Sequence, residues 1–143
     1  MMDQRPEGPR PALPPSRAVA IGRRIFHRVL MRTGFAGDVE IPGRRTGAPL
    51  RNTLAVWQVD GKRYLMSQYG LTEWVRNLRA AGGGQLHLKG RSQAFSATEV
   101  EGEERDRVIA LFRSKADKLL RRDFDRLPDP ADHPTFRVET IDS

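Results

Sequence analysis

The feature that most constrains this chain is a run of alternating side chains closed by an Asp-Gly pair. From Asn52 to Val59, successive side chains alternate between two faces. One face has Asn52, Leu54, Val56 and Gln58, and the other has Thr53, Ala55, Trp57 and Val59. This alternation is typical of a β-strand whose two faces meet different surroundings. Asp60-Gly61 then predicts a tight hairpin turn, because glycine readily adopts the positive φ that such turns need. Residues 62–68 are the predicted returning strand.

A basic loop leads directly into this hairpin. Residues 42–51, PGRRTGAPLR, bring three arginines, one threonine and two glycines into ten positions. Guanidinium groups and flexible backbone N–H groups bind phosphate and related anions. We therefore predict an anion-binding loop fixed to a rigid hairpin, with residues 67–70 returning beside it. This arrangement fits a long, phosphorylated cofactor.

The remaining segments predict strands and helices around the hairpin. Thr72 is a favourable N-cap for a helix over residues 73–81, which ends at Gly82-Gly83-Gly84. A second hairpin is predicted from 85–89 and 92–100 around Gly90-Arg91, followed by one helix over 102–120 and a last strand over 136–141. With a first strand at 39–41, the chain has about six mostly antiparallel strands and two to four helices. The predicted fold class is α+β, a small β-barrel with its helices outside.

The N-terminal third holds most of the positive charge. Residues 1–51 contain ten arginines and no lysine against four acids, in a chain of formal net charge +7. Residues 1–16 hold five of the ten prolines and are predicted to be a disordered tail, which leaves 17–143 as a single domain. An amphipathic helix is predicted over 17–33. The basic stripe within 17–32 either faces solvent or, as the open alternative, makes peripheral contact with an anionic membrane.

Several kinds of chemistry lack support in the sequence. Cysteine is absent, which excludes disulfides and thiolate nucleophiles, and no apolar run is long enough to span a bilayer. His27, His87 and His133 have no metal-ligand spacing, so no metal site is predicted and all three are interpreted as surface residues. No nucleophile elbow, dinucleotide-binding glycine motif or nucleic-acid-binding pattern occurs. We expect a cytoplasmic protein, with peripheral contact with the inner face of the cell membrane left open.

Two motifs in fixed order resemble a known family. Gly43-Arg44-Arg45-Thr46-Gly47 precedes the hairpin, and Trp74-Val75-Arg76-Asn77-Leu78-Arg79-Ala80 follows it. Together they are similar to the deazaflavin (F420)-dependent nitroreductase and quinone reductase family of split β-barrel flavin and deazaflavin oxidoreductases. The likeness extends over about residues 20–141. It implies an FMN-binding-like split β-barrel, bound coenzyme F420, and hydride transfer to a quinone, nitroaromatic or enone-like acceptor.

The resemblance also implies a set of cofactor contacts. They are Arg44, Arg45 and Thr46 at the phosphate and acidic tail; Arg51, Asn52, Thr53, Leu54 and Ala55 along the cofactor; Ser67, Gln68, Tyr69 and Gly70 at the ring edge; and Trp74, Val75, Arg76 and Asn77 on the opposite side. Tyr69 is the single candidate for a catalytic role, as a donor of a hydrogen bond or proton to the acceptor, with a role as pocket wall left equally open. The chain departs from the family pattern at Leu50, where arginine is usual, and it has no tyrosine after Tyr69.

Two alternatives to this function stay open at the level of sequence. FMN combines a tricyclic ring with a phosphate, as F420 does, so an FMN-binding oxidoreductase on the same barrel is one. A non-catalytic module that binds a cofactor or an apolar ligand is the other. The oligomeric state is also left open.

Overall fold

A seven-stranded antiparallel sheet forms the body of the protein. The computed structural model describes residues 12–13 and 36–141, so the predictions for the helix over 17–33 and for most of the tail over 1–16 lie outside the described residues. The strands are β1 (Ala36–Pro42), β2 (Pro49–Ala55), β3 (Trp57–Val59), β4 (Lys62–Met66), β5 (Gly83–Leu88), β6 (Arg91–Val100) and β7 (Thr135–Thr140). The helices are α1 (Glu73–Ala81), α2 (Gly102–Lys115) and α3 (Lys118–Phe124), with a short 3-10 helix at Pro130–Asp132.

The sheet curls because one stretch of chain supplies both of its ends. The strand order is β2-β1-β5-β6-β7-β4-β3, and the two outermost strands, β2 and β3, are separated along the chain only by Val56. A sheet whose first and last strands are joined in this way has to bend round towards a barrel. The predicted α+β split barrel is confirmed. The strand predicted over 52–59 is divided at Val56, which alternation alone does not reveal because both halves alternate.

The two predicted hairpins are present, and the second is displaced by one residue. Asp60 and Gly61 have φ values of 52° and 75°, the left-handed conformation of a two-residue hairpin turn. In the second hairpin the turn residues with positive φ are Lys89 and Gly90, at 51° and 76°. The Gly90-Arg91 turn was therefore placed one position too late, because Arg91 already pairs with Leu88 in the ladder.

Two apolar layers lie on the two faces of the sheet. The inner layer packs α1 against one face of the sheet and includes Val39, Leu65, Phe95 and Phe136, with Leu54 against it. The outer layer packs Phe112 of α2 and Phe124 of α3 against Tyr64, Met66 and Trp57. The alternation predicted from the sequence is confirmed, since Leu54 and Val56 join the inner layer while Trp57 and Val59 join the outer one.

The helix predicted over 102–120 is two helices. α2 ends at Lys115, and Asp117 begins α3 as its N-cap, with its carboxylate Oδ1 accepting the Leu120 N–H at 2.8 Å. An aspartate at this position stabilises a new helix start by satisfying one of its free N–H groups. The single-helix prediction was wrong because the apolar period continues across the break.

Candidate functional site

The basic loop between β1 and β2, residues 43–48, is a compact hydrogen-bonded turn. Gly43 N–H donates to Ala48 O and Gly47 N–H donates to Gly43 O, each at 2.8 Å. Ala48 N–H donates to the hydroxyl Oγ1 of Thr46 at 3.2 Å. Gly47 has a φ of 76°, which favours glycine. The exposed residues of the loop are thus presented on a preformed backbone.

Arg44 attaches this loop to α1. Its backbone N–H and its Nη1 both donate to Oδ1 of Asn77, at 3.1 Å and 2.9 Å. The same Nη1 lies 2.7 Å from Oε2 of Glu73. Asn77 is only 3% exposed, so its amide oxygen is used to hold the loop.

Three guanidinium groups surround Glu73 at the N-terminus of α1. The hydrogen bond from Arg44, together with the charges of Arg44, Arg45 and Arg76, holds the pKa of the Glu73 carboxyl below its ordinary value. The first turn of a helix also has free N–H groups and a partial positive charge. This end of α1 is therefore strongly positive, with one carboxylate inside the cluster. Glu73 was not among the predicted site residues, although its four-residue spacing from Asn77 places both on one helix face.

Thr72 adds a polar group that lacks a hydrogen-bond partner within the described part of the chain. Thr72 is the N-cap of α1, as predicted, but its side chain makes no capping bond. Its Oγ1 is buried and unpaired among the described residues. Buried hydroxyls are nearly always hydrogen-bonded. Arginines, free helix N–H groups and an unused hydroxyl are the donor set that a phosphate needs, so this end of α1 fits the phosphate of the expected cofactor.

The predicted contacts on β2 do not share one face. Arg51 Nε lies 3.4 Å from Oε1 of Glu40, and Thr53 Oγ1 donates to Oδ1 of Asp38 at 2.8 Å, so both side chains lie on the polar face. Asn52 and Leu54 lie on the other face, and Leu54 packs against the inner layer. What residues 51–55 share is the backbone of β2, which is the first strand in the sheet order and pairs only with β1 among the described strands.

The turn after β4, residues 67–70, is largely buried. Ser67 is 1% exposed, and its hydroxyl donates to Gly70 O at 2.6 Å. The phenolic oxygen of Tyr69 is buried, and the backbone O of Tyr69 accepts the Leu13 N–H at 2.9 Å. Gln68 is half-buried. The candidate catalytic phenol thus lies beneath the surface, and Gln68 is the member of this turn whose side chain reaches solvent.

The Trp-Val-Arg-Asn motif of α1 divides between core and surface. Trp74 is 8% exposed and Val75 is 0% exposed, and the Trp74 ring lies 6.1 Å from that of Phe136 in the inner layer. Arg76 is exposed. The structure therefore brings Arg44, Arg45, Arg76 and Asn77 together around one helix end, whereas Trp74 and Val75 are side chains of the barrel core.

The interpretation of His133 as a surface residue was wrong. His133 is 0% exposed, and its ring stacks on Phe124. The signal available in the sequence was the set of large apolar residues around it, Phe124, Leu127 and Phe136, but the intervening prolines indicated a surface loop. His87, in contrast, is partly exposed, and its Nε2 lies 4.0 Å from Oε2 of Glu40.

Residues 12–13 and 36–141 contain neither a cluster of metal ligands nor a membrane-spanning helix. Within these ranges, no three metal-ligand side chains are grouped as an ion would need. No helix there is both long enough and apolar enough to cross a membrane.

Comparison with known proteins identifies relatives of this fold. The chain matches the family model described as F420H(2)-dependent quinone reductase over residues 36–122. Among solved structures it is similar to an F420-H2 dependent reductase, FDR-A, with 20% sequence identity and a TM-score of 0.59 over 73% of this chain and 94% of that one. It is also similar to a conserved hypothetical protein from Mycobacterium tuberculosis, with 16% identity and a TM-score of 0.56 over 94% and 86% of the two chains. No curated protein matches the chain.

Proposed function

Because the chain belongs to the F420H2-dependent quinone reductase family, we propose that it reduces a quinone, nitroaromatic or enone-like acceptor. Family membership makes it an oxidoreductase that uses coenzyme F420, and the comparisons give no support to the FMN alternative. Reduction of a quinone consumes one hydride and one proton, and the bound coenzyme supplies the hydride. The acceptor class is the proposed part.

The observation that carries this function is the cationic end of α1. Arg44 and Arg45 on the loop and Arg76 on the helix all act on Glu73, and the buried Thr72 hydroxyl lies at the same helix end. We assign the phosphate and acidic tail of the cofactor to these groups. The backbone edge of β2 and the turn of residues 67–70 would then hold the rest of the cofactor, with Gln68 and Tyr69 nearest the ring.

Glu73 is a competitor for the proposed anion. Its carboxylate occupies Nη1 of Arg44 at 2.7 Å, but the Glu73 side chain is 75% exposed and can move away. Binding of a phosphate should therefore exchange one anion for another at Arg44. Glu73→Gln removes the competing charge while Asn77 still holds Arg44, so we expect F420 to bind about threefold more tightly, the modest gain typical of an exposed charge pair.

The decisive experiment is a fluorescence titration of the purified protein with F420 and, separately, with FMN. We expect F420 binding in the micromolar range, and a loss of at least about thirtyfold in Arg44→Ala/Arg45→Ala, because two charge-assisted contacts disappear. Arg107→Ala is the matched control, since Arg107 is an exposed arginine paired with Asp60 on another part of the surface. Binding of FMN alone would overturn the cofactor assignment.

Turnover separates the enzyme from a binding module. With F420H2 bound, the protein should oxidise the cofactor in the presence of menadione, a nitroaromatic or a cyclic enone. Binding without turnover on all three acceptor classes would favour the non-catalytic alternative.

Tyr69→Phe tests the proposed proton donor in the same assay. If the phenol donates, kcat falls about tenfold or more while F420 affinity is unchanged. An unchanged kcat would leave Tyr69 as a wall of the pocket.

The proposed location is the cytoplasm, and peripheral membrane contact through residues 17–32 is a separate hypothesis. It rests on the basic stripe formed by Arg24, Arg28 and Arg32. Co-sedimentation with anionic liposomes should weaken when all three are replaced by alanine. Equal sedimentation of both proteins would remove the membrane hypothesis and leave the reductase function untouched.

A further inference from the structure

The groups assigned to the cofactor lie at one end of the sheet. β1 ends at Pro42, beside the basic loop, and β4 runs into the turn of residues 67–70. The other end of the sheet, which we call the far end, holds the start of β1 at Ala36 and the hairpin turn between β5 and β6. Antiparallel pairing places these two together, because Asp38 of β1 lies opposite His87 of β5. The seven residues of β1 separate the two ends of the sheet by about 20 Å.

The far end contains a cavity that the proposed reaction does not use. Its volume is about 380 Å³, and it is lined by Arg63, Leu88, Lys89, Arg91 and Gln93. Sites for small molecules usually have volumes of about 300–1,000 Å³. A wider depression continues from the cavity along β7 and shares Arg63 and Gln93 with it. The cavity is therefore large enough for a small molecule or for the headgroup of a lipid.

Three cationic side chains reach this cavity from two strands and a turn. Arg63 lies on the inner face of β4, because it pairs with Val138, a residue of the inner layer. Arg91 lies on the same face of β6, since it pairs with Leu88, which packs against that layer. Lys89 belongs to the turn between β5 and β6. Because β4 and β6 flank β7 in the sheet, the cations approach the cavity from two sides.

These cations lack a counter-charge within the described part of the chain. The side chains of Arg63, Lys89 and Arg91 form no hydrogen bond or ion pair with another described residue. Glu139 is the one acid among the described residues that line the wider depression, and its carboxylate is held by Arg137 at 3.1 Å. Like charges gathered in this way repel one another, and a bound anion removes that repulsion.

The sequence that adjoins the far end adds more positive charge. Residues 14–35 lead into β1 and contain five arginines and no acid. Residues 142–143 follow the last strand and contain one acid, Asp142. By composition alone, these two segments carry more positive than negative charge, so they leave the far end cationic.

We propose that the far end is a second anion site, which binds a phosphate group through Arg63, Lys89 and Arg91. A phosphate monoester carries about −1.5 to −2 charge at pH 7, so it suits three cations better than a single carboxylate does. Guanidinium groups donate paired hydrogen bonds to phosphate oxygens, and the side-chain amide of Gln93 offers a further donor. Free phosphate compounds and phospholipid headgroups share this chemistry. The proposal does not rest on the proposed function, since none of these residues belongs to the candidate cofactor site.

Pyrophosphate is the probe for a free ligand, and backbone amide NMR locates where it binds. We expect saturable chemical-shift changes at residues 89–93 of the wild-type protein, whether or not residues 43–48 also respond. Sodium chloride at equal ionic strength should not reproduce them. Changes confined to residues 43–48 would place the free anion at the end of α1 and would count against a free ligand at the far end.

Three double variants assign the binding to its residues. In Arg63→Ala/Arg91→Ala the affinity measured at residues 89–93 should fall at least about tenfold, because two charge-assisted hydrogen bonds are lost. Arg121→Ala/Arg122→Ala is the matched control, since it removes the same charge from two exposed arginines of α3, and it should bind within about twofold of the wild type. Arg44→Ala/Arg45→Ala should also bind within about twofold, because charges about 20 Å away are screened.

Arg91→Glu provides a second test that leaves the half-buried Arg63 in place. Arg91 is exposed, so a change of its side chain leaves the packing of the sheet intact. Reversal of one charge should weaken binding at residues 89–93 at least as much as the double alanine variant does.

Vesicles of phosphatidic acid and phosphatidylcholine test the lipid source of the same phosphate group. Co-sedimentation should be at least about tenfold weaker for Arg63→Ala/Arg91→Ala than for Arg121→Ala/Arg122→Ala if a headgroup enters the cavity. A selective loss with pyrophosphate alone supports a free ligand, and a selective loss with vesicles alone supports a lipid headgroup. If the two double variants bind both probes equally, the far end is not an anion site and the proposal is wrong. F420 binding by the wild-type protein is unaffected by any of these outcomes.

Discussion

The three consecutive glycines at the end of α1 give a graded test of how tightly the sheet is closed. Gly82 is the C-cap of α1 with a φ of 72°, and a Cβ there would meet nothing within 4 Å. A Cβ on Gly83 would lie 2.2 Å from Phe95 O of β6, and one on Gly84 would lie 2.2 Å from Glu40 O of β1. Carbon and carbonyl oxygen normally stay about 3.3 Å or more apart. Alanine at Gly84 therefore forces β5 and β1 apart by roughly 1 Å.

The magnitudes follow from these geometries. Gly84→Ala combines overpacking of about 3 kcal/mol with the weakening of about one ladder hydrogen bond, or about 4 kcal/mol in all. Gly82→Ala only places a Cβ in the left-handed region, which costs about 1 kcal/mol. Urea denaturation followed by circular dichroism measures both free energies of unfolding. A loss in Gly84→Ala no larger than that in Gly82→Ala would refute the close approach of β5 to β1.

Two further stability predictions concern the helices outside the sheet. The Tyr64 hydroxyl donates to Glu104 Oε2 at 2.7 Å, and burial together with this bond raises the pKa of Tyr64 from 10.0 to about 12. Between these two values the unfolded chain loses the proton and the folded one keeps it, so the free energy of unfolding should fall as pH rises, by about 2–3 kcal/mol more in the wild type than in Tyr64→Phe. Asp117→Ala should lower the free energy of unfolding by about 1 kcal/mol, because the N-cap bond to Leu120 N–H is lost. Guanidinium denaturation at neutral pH measures this loss, with Asp106→Ala as an exposed control.

The sequence predicted the parts of the fold that depend on local patterns. The Asp60-Gly61 turn and the alternating faces of residues 52–59 were recoverable because backbone conformation and burial at these positions follow from neighbouring residues alone. The division of that strand at Val56 was not recoverable, because it depends on which distant strand each half meets. The break between α2 and α3 could have been predicted from the sequence, because Asp117 is a recognisable N-cap.

The contact between the basic loop and the start of α1 was predictable, but the state of the side chains there was less so. The Arg44–Thr46 loop and the start of α1 were placed together by the family resemblance. The ion pair between Glu73 and Arg44 joins residues that are 29 positions apart in the sequence. The burial of His133 involves a contact with Ser67, which is 66 positions away. Such pairings are set by the curl of the sheet and have no local signature.

The N-terminus of α1 is held from two sides before any ligand binds. The loop of residues 43–48 is attached through Arg44 and Asn77, and the turn before the helix is attached through the Thr72 N–H to Gly70 O. A prebuilt site of this kind spends little binding free energy on ordering the backbone. The free energy of anion binding should therefore be dominated by charge, namely the release of Glu73 from Arg44 and the attraction of Arg45 and Arg76. Because exposed charges are screened within about 10 Å at 0.1 M salt, the affinity of the wild-type protein for F420 should fall with ionic strength, and the dependence should be flatter in Arg44→Ala/Arg45→Ala.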